Sequence, residues 1–214
     1  MQTHCVFVTG GTGYVGRPLI NRLIERGHTV RALARRTSSA VLHSSAARVI
    51  GDALDPSTYA AWVAPADTLV HLVGTPSPSP AKAREFRAVD LVSVRAATAV
   101  AMRAHVSHFI YLSVAHPAPV MQAYIAVRQE GEALVRATGI PATILRPWYV
   151  LGPGHRWPIL LKPVYALFEM LPATRATALR LGLVTRDQMV AALTYAIEHP
   201  PERLRICDVP EIRA

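Results

Sequence analysis

Gly10, Gly13 and Gly16 stand three apart in Thr9-Gly10-Gly11-Thr12-Gly13-Tyr14-Val15-Gly16. Glycines at that spacing let a chain turn tightly, approach a pyrophosphate and pack a helix closely on a strand. Free amides in the first turn of a helix, together with its dipole, attract the anion. Gly10, Gly11, Thr12, Gly13, Tyr14, Val15 and Gly16 are therefore expected to hold the phosphates of a dinucleotide. Further on, Ala34-Arg35-Arg36-Thr37-Ser38 offers two guanidinium groups and no acid. An acid at that place would bond the ribose 2′-hydroxyl of NAD, whereas arginine accommodates the 2′-phosphate of NADP through charge-assisted contacts. Arg35 and Arg36 thus point to NADP, with NAD as the alternative if they are merely solvated. Tyr124 and Arg128 are four apart, the spacing that places two side chains on one helix face and a cation beside a phenol.

These residues need elements to position them. HCVFVT (4–9) is an apolar strand that runs straight into the glycines, and after it Val15, Leu19 and Leu23 recur at helical spacing until Gly27. HTVRALA (28–34), ARVIG (47–51), TLVHLVG (68–74), SHFIYLSV (107–114) and ATILRPWYV (142–150) read as further strands. Residues 81–104 lack Pro and Gly and read as one long helix, and residues 120–138 as a second, closed by Gly139-Ile140-Pro141. Strands separated by helical crossovers mean a doubly wound α/β domain, with a mainly parallel sheet of Rossmann type and helices on both faces. Residues 1–214 are expected to form one such domain. In it, 153–214 would be a short extension with an apolar stretch (157–171), a late helix (186–199) and a last strand (204–209). The run Thr75-Pro76-Ser77-Pro78-Ser79-Pro80 is extended and poor in backbone donors, either a site wall or a stiff linker.

With 214 residues, 51% hydrophobic and 17% charged, the chain can bury an ordinary core, which excludes disorder as its main state. The net charge of +9 comes from scattered arginines, Lys82 and Lys162 being the only lysines, so a nucleic-acid partner is not favoured. Cys5 and Cys207 lie far apart in apolar runs and suit small buried hydrophobes better than a disulfide or a metal site. The nine histidines show no ligand spacing, and no metal is expected. No signal peptide or membrane span is apparent, and a cytoplasmic location is expected.

From the Thr-Gly-x-x-Gly-x-x-Gly turn onward the chain resembles the short-chain dehydrogenase/reductase superfamily, in particular its extended and atypical members of the epimerase/dehydratase-like and NmrA-like kinds. The matching positions follow in order: Asp52 in Gly51-Asp52-Ala53-Leu54-Asp55, His71-Leu72-Val73-Gly74, Ser113, Tyr124 and Arg146-Pro147. The resemblance implies that Asp52 and Ala53 meet the adenine, although an Asp there also caps turns. It further implies that Leu72, Val73 and Gly74 line the cofactor groove, and that Arg146 and Pro147 lie near the nicotinamide.

Reductases of that superfamily use a Ser to position the carbonyl, a Tyr as general acid and base, and a Lys four residues after the Tyr. Here Ser113 and Tyr124 are in order, but Arg128 stands where the lysine would be. A guanidinium keeps the charge but cannot deprotonate. Asp90 likewise stands where extended members more often have Asn. His116 and His155 lie in loops on the expected cofactor side, where they could meet a substrate, and 152–157 is a loop able to close over a ligand.

Two functions compete. One is an NADP(H)-dependent oxidoreductase or epimerase-like enzyme acting on a small carbonyl or hydroxyl compound through Ser113, Tyr124 and Arg128. The other is a non-catalytic dinucleotide-binding redox sensor or complex-associated subunit. A peripheral membrane or protein contact through the aromatic and basic stretch 157–168 is a third possibility, and the oligomeric state is open.

Overall fold

The computed structural model describes residues 2–153 and 172–214. In chain order they form β1 (Cys5–Thr9), α1 (Gly16–Glu25), β2 (Thr29–Ala34), β3 (Ala47–Ile50), β4 (Thr68–His71), α2 (Val92–Arg103), β5 (His108–Leu112), α3 (Gln122–Ala137), β6 (Ala142–Leu145), β7 (Tyr149–Leu151), α4 (Pro172–Arg180), β8 (Leu183–Thr185), α5 (Arg186–Glu198), β9 (Leu204–Cys207) and α6 (Val209–Arg213). Seven strands make one sheet in the order β3-β2-β1-β4-β5-β6-β9, and β7 pairs with β8 separately. Every pairing is parallel, as a doubly wound fold requires.

Strand periodicity divides the core. Side chains alternate across a strand, so Val6 and Val8 of β1 join Leu19, Leu23, Met189, Leu193 and Ile197 under α1 and α5. Phe7, between them, faces Val94, Ala97, Val100, Val127 and Val135 under α2 and α3. The ends of the helices follow from backbone chemistry. Gly27, at φ +82°, closes α1 in a Schellman arrangement, with His28 N bonded to Leu23 O at 3.0 Å and Gly27 N to Ile24 O at 2.9 Å.

Three sequence expectations are corrected. The long helix is not continuous over 81–104: a short turn (Ala83–Glu85) and a π-helical turn (Phe86–Leu91) precede α2. The wider turn accommodates the buried Asp90, whose side chain bonds away from the helix to Thr75. The strand expected over 142–150 is two strands, because Pro147 offers no ladder donor and the chain leaves the main sheet after Leu145. The last strand stops at Cys207, since Asp208 takes the N-cap position of α6 without a side-chain cap bond and Pro210 stands in the first turn. Within 153–214, β9 joins the main sheet beside β6 and α5 packs on α1, so much of that stretch is built into the core. The apolar stretch 157–171 lies outside the described residues.

Candidate functional site

The carboxyl ends of β1, β2, β4, β5 and β6 all open at one edge of the sheet, the edge at which doubly wound folds bind ligands. The glycine turn leaves β1 there. Gly10 has φ +74° and presses on the end of β4: a Cβ would lie 2.8 Å from the carbonyl carbon of Leu72 and 3.0 Å from Val73 N. Gly13 N donates to Gly10 O at 3.0 Å, and a Cβ on Gly16 would collide with that same oxygen. Added carbons at Gly10 and Gly16 would meet backbone, so glycine is required there, and half-buried Leu72, Val73 and Gly74 lie against the turn, whose amides are of the kind that could hold a phosphate bridge.

Arg35 and Arg36 lie exposed immediately after β2, and Arg36 opens a 3-10 turn. Asp52, exposed after β3, accepts from Leu54 N at 3.0 Å, which is the turn-capping role open to Asp. Ala53 packs on the neighbouring core.

Tyr124 and Arg128 come together as their spacing on α3 predicts. The Arg128 guanidinium carbon is 5.1 Å from the Tyr124 ring centroid, and that ring packs 4.9 Å from Phe86. Arg128 is only 5% exposed. Its Nη2 reaches Asp90 Oδ1 at 2.7 Å, its Nη1 donates to Leu112 O at 2.9 Å, and it also touches Gly74. Asp90 in turn accepts from Thr75 N at 3.0 Å and from Thr75 Oγ1 at 2.6 Å. Burial pulls the Arg128 pKa down, but the phenols of Tyr124 and Tyr111 and the Asp90 carboxylate more than reverse this and leave it above its ordinary value. The two departures from the superfamily pattern thus compensate one another as one buried ion pair.

Ser113 is drawn elsewhere. Its hydroxyl donates to Glu132 Oε1 at 2.7 Å, and Glu132 also takes Arg146 Nε at 2.8 Å, Arg146 Nη2 at 2.5 Å and His116 Nε2 at 3.3 Å. Desolvation raises the Glu132 pKa, yet its hydrogen bonds from Arg146 and Ser113 outweigh that and hold it below the usual carboxylate range. Arg146 leans toward this carboxylate and, at 3.8 Å, toward Asp208, while Pro147 O accepts from Ala115 N at 3.0 Å. Glu132 escaped the sequence reading, although it continues the series Tyr124, Arg128, Glu132 at intervals of four on one face of α3. His71 is a buried neutral group: Thr9 Oγ1 lies 2.8 Å from its Nδ1, and burial, then the Arg128 cation, lower its pKa to about 3. His155 lies outside the described residues.

Cys5 and Cys207 are free and half-buried, and burial pushes both thiols up, which leaves little thiolate. Among the described residues no cluster of His, Cys, Asp and Glu suits a metal ion, and no helix is long and apolar enough to cross a membrane. The stretch 157–168 lies outside the described residues.

Residues 10–158 match the family described as NAD(P)H-binding. The chain is 29% identical over 203 residues to a ceramide reductase of Caulobacter vibrioides, covering 91% of this chain and 61% of that protein. It is 28% identical over 168 residues to a 4-hydroxy-2-methyl-3-oxo-4-farnesyl-3,4-dihydroquinoline-1-oxide ketoreductase of Stigmatella aurantiaca, covering 68% of this chain and 50% of that one. The chain therefore spans only about half to three fifths of the length of these relatives. Among solved structures, the Bordetella bronchiseptica enzyme WbmH with NAD+ superposes with a TM-score of 0.72 at 18% identity, over 95% of this chain and 75% of that one. A short-chain dehydrogenase/reductase superfamily protein of Agrobacterium tumefaciens with bound NAD gives 0.71 at 20%, over 96% and 77%. These two share the fold.

Proposed function

This chain belongs to the NAD(P)H-binding family, and from that premise we propose that it is an NADP(H)-dependent oxidoreductase of a carbonyl or hydroxyl compound, with Tyr124 as its proton donor. One observation carries the reading. The half-exposed phenol of Tyr124 is stacked on a buried cation that also touches Gly74, two residues from the backbone against which the glycine turn rests. That neighbourhood supports a proton donor acting beside a dinucleotide held by the glycine turn. The bound cofactor supplies or takes the hydride. For reduction, the Tyr124 hydroxyl gives its proton to the carbonyl oxygen, and Arg128 beside the ring stabilises the phenolate left behind. Beside Tyr124, Val114, Ala115, Ala118, Ile125 and Leu181 are packed into one buried apolar cluster with Trp148 against it, so it is the relatives that support an apolar substrate. The relatives are named for a ceramide and for a farnesylated quinoline oxide.

The test is oxidation of NADPH, followed by absorbance, with a panel of long-chain and cyclic ketones. Tyr124→Phe is expected to lower turnover by about 10² to 10⁴, the usual worth of general acid-base assistance. Unchanged turnover in Tyr124→Phe would assign the proton to another group.

The choice of NADP over NAD rests on Arg35 and Arg36, both exposed at the end of β2 with no acidic residue within 34–38. A charge-assisted contact is worth about 1.5–3 kcal/mol. Calorimetric titration is thus expected to show NADPH binding roughly 10- to 100-fold more tightly than NADH, a preference erased in an Arg35→Ala, Arg36→Ala double variant. Equal affinities in the parent protein would refute the assignment.

A further inference from the structure

We propose that Arg186 is a side-chain ligand of the dinucleotide pyrophosphate, carrying the anion seat of the glycine turn across to α5. The proposal rests on the dinucleotide reading above. Helices α1 and α5 run side by side in the same direction. At one end Arg26, just past α1, forms a two-pronged pair with Glu198, the last residue of α5, at 2.5 and 2.9 Å. At the other end Arg186, the first residue of α5, lays its guanidinium carbon 5.5 Å from the centroid of the Tyr14 ring. Tyr14 belongs to the glycine turn, two residues before α1 begins. The cation therefore lies against a side chain of the glycine turn.

The carboxylate next to it in the chain, Asp187 in the same first turn of α5, is exposed and forms no ion pair with it. No other carboxylate among the described residues pairs with Arg186, and its Nε is buried without a hydrogen-bond partner. The first turn of α1 contains no acidic residue. A cation on the opening turn of a helix also opposes that helix's dipole. The end of α5 does not need it, because Thr185 and Gln188 form a complete capping box, with Gln188 N donating to Thr185 Oγ1 at 3.1 Å and Thr185 N donating to Gln188 Oε1 at 2.9 Å. Charge in such a place is disfavoured until an anion arrives.

The shape is also fixed in advance. The contact with the Tyr14 ring, 5.5 Å from the guanidinium carbon, holds the head group beside the glycine turn, and a guanidinium matches phosphate oxygens. Gly152, at the end of β7, closes on both partners: a Cβ there would lie 3.2 Å from Arg186 Cβ and would collide with the Tyr14 hydroxyl. A doubly charged pyrophosphate fits this set of donors, backbone amides on one side and a guanidinium fork on the other.

Calorimetric titration of the whole chain with NADPH, NADH, ADP-ribose and adenosine 2′-monophosphate tests the assignment. In Arg186→Gln the affinities for the three pyrophosphate-containing ligands are expected to fall together by about tenfold or more. The ratio of NADPH to NADH affinity should stay as in the parent, and adenosine 2′-monophosphate should bind as before. That pattern separates Arg186 from Arg35 and Arg36, whose replacement changes the ratio. Arg186→Lys keeps the charge without the fork and should show a smaller loss of the same kind, and it carries the test if Arg186→Gln does not fold. Parent-like affinity in either variant overturns the proposal, as does a loss that extends equally to adenosine 2′-monophosphate. A parent protein that binds no dinucleotide overturns the family-based reading and this inference with it, whereas tight binding unaffected by Arg186 overturns the inference alone.

Discussion

Arg128→Met is expected to destabilise the protein by about 3–5 kcal/mol, because it strands the Asp90 carboxylate, 1% exposed, without its cation. For a chain of this size that is a drop of roughly 6–20 °C in Tm, readable by thermal denaturation. Removing both charges changes the expectation. In Asp90→Asn, Arg128→Met the stranded carboxylate is gone, so the double variant should be more stable than Arg128→Met alone, a non-additivity that a double-mutant cycle measures directly. With Tyr124 as the proposed proton donor, the same pair is expected to bear on activity. Lysine at position 128 restores a group that can exchange protons, but beside Asp90 its ammonium is held by the carboxylate as the guanidinium is now. Arg128→Lys by itself should therefore change NADPH turnover little, whereas Asp90→Asn, Arg128→Lys frees the ammonium toward the phenol and should raise turnover above the parent. A Tm unaffected by Arg128→Met would show that the pair contributes nothing to the fold. A double variant slower than the parent would show that the pair is not what limits the chemistry.

The second large effect belongs to Glu132. This carboxylate is 3% exposed and collects Ser113, His116 and the fork of Arg146, so Glu132→Gln leaves a half-buried guanidinium facing a neutral amide. The expected cost is about 3 kcal/mol or more. The pH dependence gives an independent signature. The folded pKa of Glu132 is depressed, its hydrogen-bonding partners outweighing desolvation. Its stabilisation is therefore complete above the unfolded value of about 4.3 and is lost as pH falls through the lower folded value. Glu198 is depressed as well, chiefly by its hydrogen bond from Arg26, so the parent alone cannot assign the acid limb. The difference between parent and Glu132→Gln can: their stabilities, from urea unfolding at each pH, should converge as pH drops below about 4.3. Two curves that stay parallel into acid would remove Glu132 from the account.

What could be read in the sequence and what could not separates along the range of the interactions. The glycine turn, the alternation of Val6, Phe7 and Val8 and the helical recurrence of Leu19 and Leu23 are local patterns, and each is where its spacing puts it. The break between β6 and β7 was also written locally, in Pro147, but the apolar run around it reads as continuous. The π-helical turn at 86–91 carries no comparable mark: what it accommodates is a contact from Asp90 to Thr75 and Arg128, residues distant in sequence. Ser113 and Tyr124 suggested a pair, and only the fold shows that Glu132, a stronger acceptor than a phenol, claims the serine hydroxyl. Arg128 and Asp90 each look like a defect when read singly, and become intelligible as partners at 2.7 Å.

The strand order also bears on how the molecule is made. Because every neighbour in the sheet is parallel, none of its pairings can be closed by a tight turn, and each ladder waits for a whole crossover segment to fold back. β1 sits between β2, which follows the first helix, and β4, which arrives only after β3 has been laid down on the far edge. Loop closure must precede its reward in hydrogen bonds, and two ladders close the longest loops: β1 with β4, where Val6 meets Thr68, and β6 with β9, where Ala142 meets Leu204. Until β4 has been made, a nascent chain leaves one edge of β1 unpaired, and until β9 has been made it leaves one edge of β6 so, each an edge to which another chain can add.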